Sequence, residues 1–191
     1  VYAALGRVWL DRATNESDEA ALAKALEALQ LAAALPAVTG ESLGLYGRVL
    51  FLSGDLQAAE RVLEQARTRL PIEPVRLLDL ASVSETLGHL AAARSALIDY
   101  AALAPAGRAV PSILKVARLS LTLDDGPTAV TWARRAVSES SATIDALGLL
   151  AEALWHTGNR DDALDTLGQA LDRDPENEIL LHLGRRFSAR Q

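Results

Sequence analysis

The sequence predicts an all-α chain built from antiparallel helix pairs that repeat along its length, and three observations carry that prediction. First, a triplet led by alanine, with partners four and seven residues on, recurs at Ala25, Leu29, Ala32; at Ala59, Leu63, Ala66; at Ala93, Leu97, Tyr100; at Ala129, Ala133, Ala136; and at Ala163, Leu167, Ala170. The leading alanines are 34, 34, 36 and 34 residues apart, and a fixed period of that length marks a stacked supersecondary unit. Second, turn residues fall midway through the units and prolines close them. Third, half of the 191 residues are apolar yet only 4% are aromatic, so Ala and Leu must do the packing, and these lose least on entering a helix.

Taken in order, the first unit (about 2–39) opens with Leu5, Gly6 and Trp9 in a first helix and then departs from the period. About seven extra residues sit around Thr14 to Glu19, where Asn15, Ser17 and Asp18 supply turn and N-cap chemistry before a second, Ala/Leu-rich helix. Asn15-Glu16-Ser17 is formally a glycosylation sequon, a triplet common by chance. The second unit (40–73) is regular, with Tyr46-Gly47 in its first helix, Gly54-Asp55 in the turn, Ala59 and Leu63 in its second helix, and Pro71 after it. The third (74–107) repeats the register with Leu80-Ala81, Gly88, Ala93, Leu97 and Pro105. The fourth (108–143) absorbs two residues around Ala106 to Pro111 and replaces the turn glycine by Asp124-Asp125-Gly126-Pro127, whose proline suits the first turn of a helix. The fifth (144–177) runs through Thr157-Gly158-Asn159 to Pro175. Residues 178–191 are expected to form a capping helix. Its Ile179, Leu180, Leu181, Leu183 and Phe187 are set toward one side, and Arg185 stands where earlier units carry Gly47, Ala81, Ala117 and Ala151; a cation there would refuse another closely packed helix.

The small residues set the packing. Gly6, Gly47, Ala81, Ala117 and Ala151 in the first helices are expected to face Ala25, Ala59, Ala93, Ala129 and Ala163 in the second, bringing the axes to about 8–10 Å. Periodic alanines arising by accident, or a closed bundle with irregular spacing, are the rival readings.

These features resemble the tetratricopeptide repeat over about residues 2–177, most closely over 40–175. The resemblance implies a single array of about five repeats in a right-handed α-solenoid, with first helices lining a concave groove. The family's tryptophan, tyrosine and phenylalanine positions are largely Leu here. Its groove positions would be Gly44, Arg48, Phe51 and Leu52; Leu78, Ser82 and Glu85; Leu114, Arg118 and Leu121; and Gly148, Glu152, Trp155 and His156. Such a lining suits a peptide with apolar anchors and a carboxylate held by Arg48 or Arg118; alternatively, Phe51 and Trp155 pack on the next unit and the arginines are solvated. Family members that grip acidic chaperone tails use a Lys/Asn clamp. Here the matching positions are Arg48, Ser82 and Arg118, with no Asn, so that clamp is not reproduced.

Composition excludes more than it assigns. A net charge of −6 argues against a nucleic-acid partner, which needs a clustered positive field, and every apolar stretch is broken by a charge before reaching membrane-spanning length. The expectation is a soluble protein, cytoplasmic or periplasmic, of undefined oligomeric state. There is no cysteine and no methionine, which removes thiolate chemistry and suggests an excerpt or processed product of a longer chain. No phosphate loop, dinucleotide fingerprint, HExxH or EF-hand loop is present. Glu152, His156 and His182 make at most a loose cluster without fixed ligand spacing, and Asp161, Asp162 and Asp165 read as charge at a helix N-terminus. No cofactor, metal or catalytic residue is assigned. The expected function is a non-catalytic protein-binding scaffold in a larger complex, of bacterial origin from its Ala/Leu/Arg-heavy usage, with a regulatory or sensor segment of a multidomain protein as the alternative.

Overall fold

The computed structural model describes residues 1–105 and 107–189. Among these, eleven α-helices and no strand are found: α1 (Tyr2–Glu16), α2 (Glu19–Ala33), α3 (Gly40–Leu52), α4 (Leu56–Arg67), α5 (Pro74–Thr86), α6 (Leu90–Leu103), α7 (Val110–Thr122), α8 (Gly126–Glu139), α9 (Ile144–His156), α10 (Arg160–Leu171) and α11 (Glu178–Ser188). They form two compact units, Val1–Tyr100 and Ala101–Gln191.

Local chemistry sets the helix ends. Asp18, Thr39, Asp55, Asp125 and Asn177 each accept a backbone N–H three residues on, at 3.1–3.3 Å, which satisfies one of the unpaired donors of a helix N-terminus. The turn within a pair is the same four times over. Asp55, His89, Asp125 and Asn159 donate N–H to carbonyls five residues back, at Leu50, Ser84, Ser120 and Leu154. The preceding residue is left-handed in each case, Gly54, Gly88 and Gly158 at φ near +80° and Asp124 at φ 59°. Asp tolerates that region better than most side chains, and this is how the fourth unit dispenses with a turn glycine. Asp161 and Asp162 lie in the first turn of α10.

The irregular first unit keeps the same packing. Gly6 is 19 residues before Ala25, whereas Gly47 is 12 before Ala59. Those seven extra residues amount to about two helical turns, so α1 and α2 each grow to 15 residues without rotating a buried face outward. Asn15 therefore lies inside α1 rather than in a loop.

In unit one, α1 packs on α2 and α3, and α3 on α4 and α5; in unit two, α7 packs on α8 and α9, and α9 on α10 and α11. Contacts within each unit run between helices one or two apart in order, which is the stacking of a helical-repeat solenoid and not the closure of a bundle. Ala59, Ala81, Ala93, Ala117, Ala129, Ala151 and Ala163 are all at most 1% exposed.

One expectation needs correction. The glycine of the first helix meets the large middle residue of the second helix's triplet and not its leading alanine: a Cβ on Gly47 would lie 2.5 Å from Leu63 Cγ, and one on Gly6 would clash with Leu29 Cγ. The glycine is a hole for a leucine. A second correction concerns α11, where Leu180, Leu183 and Phe187 are buried but Ile179 is 78% and Leu181 43% exposed. At 100° per residue, 179 and 181 fall on either side of the 180/183/187 stripe. Arg185 is exposed.

Helix propensity alone would make Gly47→Ala stabilising by about 1 kcal/mol. The contact with Leu63 reverses the sign: Gly47→Ala is expected to lower the melting temperature of the parent, and the same change in a Leu63→Ala background to be neutral or stabilising.

Candidate functional site

The first helices of the two units present different surfaces. In unit one, α1, α3 and α5 carry charges that are consumed within the chain. Arg48 Nη1 donates to Asp79 Oδ1 and Arg76 Nη1 to Asp79 Oδ2, each at 2.6 Å. Arg7 bonds Glu41 and lies 3.5 Å from Glu73 Oε1. Asp79 is only 7% exposed; burial pushes its carboxyl above the ordinary range, and the guanidinium groups of Arg76 and Arg48 offset that only in part. Arg48 also sits 5.7 Å from the centre of the Phe51 ring. Arg76 lies across Gly44, where a Cβ would be 2.6 Å from its Cγ. Ser82 Oγ donates to the carbonyl of Leu78 at 2.9 Å, Leu78 and Glu85 are half-buried, and Leu52 is exposed at the end of α3.

In unit two, α7, α9 and α11 enclose an open cleft of about 420 Å³ lined by Arg118, Leu121, Thr122, Glu152, Trp155, His156, Arg186 and Phe187. Five sequence-predicted positions, Arg118, Leu121, Glu152, Trp155 and His156, thus converge. Leu114 does not join them and packs against the core. The floor is aromatic: Trp155 and Phe187 stack with centroids 4.2 Å apart and planes 6° from parallel, while Arg160 approaches the Trp155 ring at 5.3 Å. Glu152 Oε1 accepts from Arg186 Nη1 at 3.0 Å, and His156 Nε2 lies 3.1 Å from Asp124 Oδ1. Arg118 is exposed and, among the described residues, makes no ion pair. A second, smaller hollow of about 200 Å³ adjoins, with Ile144, Gly148, Leu149, Ile179, Leu180 and Leu183 in its wall; it shares Arg118, Glu152 and Arg186 with the first.

Sequence reasoning missed Arg186 and Phe187, since α11 was read only as a cap. A signal was present: Arg186 follows Glu152 by 34 residues, as Glu41 follows Arg7, and Asp79 follows Arg48 by 31. Opposite charges one period apart, or one period less a turn, meet on adjacent first helices.

The histidines do not gather. His156 faces Asp124 and His182 lines the smaller hollow, and among the described residues no group of three potential ligands is placed to hold a metal ion. His89 joins a polar cluster unforeseen from sequence: its Nδ1 is 2.9 Å from both oxygens of Glu60, which also accepts from the fully buried Ser84 Oγ at 2.7 Å. Glu60 stands between the other two, so the order that activates a serine, hydroxyl on imidazole and imidazole on carboxylate, is not made. Burial raises the Glu60 carboxyl, but the bonds from Ser84 and His89 outweigh it and hold the carboxyl below its ordinary range.

Consecutive antiparallel pairs, a repeated turn and first helices ranged side by side define a helical-repeat protein. The sequence model of the tetratricopeptide repeat matches residues 144–177, and solved structures of tetratricopeptide-repeat proteins share the fold of nearly the whole chain. Among the similar structures, YrrB, described as a tetratricopeptide-repeat protein with an unusual peptide-binding site, is 18% identical, covering 93% of this chain and 90% of its own, with a TM-score of 0.69. MamA from Desulfovibrio magneticus RS-1 is 17% identical, covering 93% and 97%, with a TM-score of 0.63. PilF of Pseudomonas aeruginosa is 15% identical, covering 98% and 82%, with a TM-score of 0.59. No curated protein sequence matches the chain. No described helix is long and apolar enough to cross a membrane.

Removing Asp79 leaves two guanidinium groups without their carboxylate. Both are partly exposed and can relax toward water, so Asp79→Ala is expected to cost about 2 kcal/mol in denaturant unfolding. Glu60 has the opposite sign of pH dependence from a group raised by burial: with its folded value depressed, its contribution is present above the unfolded value and lost as pH falls through the folded one. The stability difference between the parent and Glu60→Gln should therefore be largest near neutrality and shrink below about pH 4, measured by urea titration across that range.

Proposed function

We propose that the chain is a non-catalytic scaffold that binds a segment of a partner protein in the groove of α7, α9 and α11, and through it serves the assembly of a larger complex. The observation that carries this reading is the cleft itself: an aromatic floor of Trp155 and Phe187 beside an exposed guanidinium, Arg118, that the described residues leave without a counter-charge. Apolar area supplies affinity and a nearby cation orients an extended chain. Unit one contributes less, because Arg48 is already bonded to Asp79. The likeness in fold to YrrB, for which a peptide-binding site is described, supports a peptide as the class of ligand. Nucleic acid is a poor fit, since the net charge is −6 and Glu152 offsets one of the groove's two arginines.

The test begins with capture of partners by the full chain from its native organism. Arg118→Glu is then expected to weaken the captured partner's binding by about 1 kcal/mol or more, with helicity and melting temperature unchanged because the side chain is exposed. Unaltered affinity by titration calorimetry would move the interface out of the groove and end this reading.

A further inference from the structure

The groove of unit two is divided. Its two hollows, about 420 Å³ and about 200 Å³, share three residues, Arg118, Glu152 and Arg186. These three occupy one register position on α7, α9 and α11, each 34 residues from the next, so they form a charged bar across the groove. On one side of the bar the wall is Leu121, Trp155 and Phe187; on the other it is Ile144, Leu149, Ile179 and Leu183. Glu152 is bonded to Arg186 and not to Arg118. Two guanidinium groups against one carboxylate leave a single positive charge on the bar, and it resides on Arg118. Beyond the bar Asp145, exposed in the first turn of α9, lines the smaller hollow, where it disfavours a second acidic group on the ligand. His156, at the far edge, already faces Asp124.

We propose that this groove selects a peptide segment carrying one acidic side chain between two apolar ones, with the carboxylate on Arg118 and an apolar side chain in each hollow. Glu152 is the specificity-determining residue. By holding Arg186 it keeps the count of available cations on the bar at one, so that a second acid gains no partner there. The inference rests on the groove reading above and adds to it the chemistry and charge count of the ligand. Charge complementarity decides the acid, and the two separate apolar walls decide its flanks.

The experiment uses the full chain and a random library of nine-residue peptides with amidated carboxyl termini, selected in parallel on the parent, Glu152→Gln and Arg118→Glu. Glu152 is part-exposed, so its replacement leaves the fold intact, checked by circular dichroism. On the parent, peptides with one Asp or Glu flanked on both sides by apolar residues should be enriched about fivefold or more over Arg118→Glu, the size expected of one exposed charge contact. On Glu152→Gln, where Arg186 is released, the enriched peptides should carry two acids. Peptides without an acid, or the same single acid on the parent and Glu152→Gln, would overturn the charge count while leaving groove binding in place. Enrichment confined to a companion library with free carboxyl termini would overturn the internal acid. If neither library is enriched on the parent, the groove reading fails and this inference fails with it.

Discussion

Everything in this chain depends on how closely the two helices of a pair approach, and small residues set that approach, with a leucine seated directly over the glycine in the first two pairs. At Gly47 the fit leaves no room for a methyl group against Leu63. Alanines at Ala59, Ala93, Ala129 and Ala163 are fully buried, and their small side chains keep the neighbouring backbone from being pushed away. An alanine buries little area on its own, so a single pair could not hold its shape in water; stacking pair on pair multiplies many small burials into a core. The four-fold repeated turn follows from the same need. A left-handed residue and a hydrogen bond to the carbonyl five back reverse the chain in the shortest distance that keeps the two helices in register.

Once the backbone repeats, function can differ only through the side chains placed on it. The register position filled by Leu50 and Leu154 holds Ser84 and Ser120 in the middle of the chain. Leu154 stands within a cluster of buried apolar residues. Where Ser84 stands, a shorter and polar side chain leaves a space and a buried hydroxyl that must be bonded, and Glu60 fills both needs while His89 caps the carboxylate from the turn. Such a cluster ties α4 to α5 and to the turn that follows α5 by directional bonds. The serine alone does not write it, since Ser120 at the same position donates to the carbonyl of Val116; Glu60 and His89 complete it.

The same reasoning explains what could be read from the residues and what could not. Period, turns, N-caps at Asp18 and Asp55, and the burial of the small positions are consequences of spacing within one helix or one pair, and spacing is visible in a sequence. The helix-to-helix reach of a long side chain is not. Arg48 is expected from the sequence to line the groove, but its guanidinium extends to Asp79 on the next first helix and is neutralised there. Phe187 belongs to the cleft because α11 lies against α9, a neighbour relation that the label of a capping helix hid. Leu114, expected in the groove lining, is half-buried and packs against two core clusters.

This difference between the units has an energetic meaning for binding. An exposed ion pair adds little free energy, about 0–1 kcal/mol, because water already solvates both charges; in the proposed complex a carboxylate on Arg118 would therefore not by itself hold a partner. In the proposed complex the two hollows would provide the affinity, by removing apolar surface from water on either side of the bar. The charges would provide register, since an acid placed toward Glu152 or Asp145 meets a like charge and such alignments are penalised. In unit one the equivalent cation has been spent on Asp79 to hold α3 against α5. One register position thus serves as internal mortar where Arg48 meets Asp79 and, in the proposed complex, would read the ligand through Arg118, which makes no ion pair among the described residues.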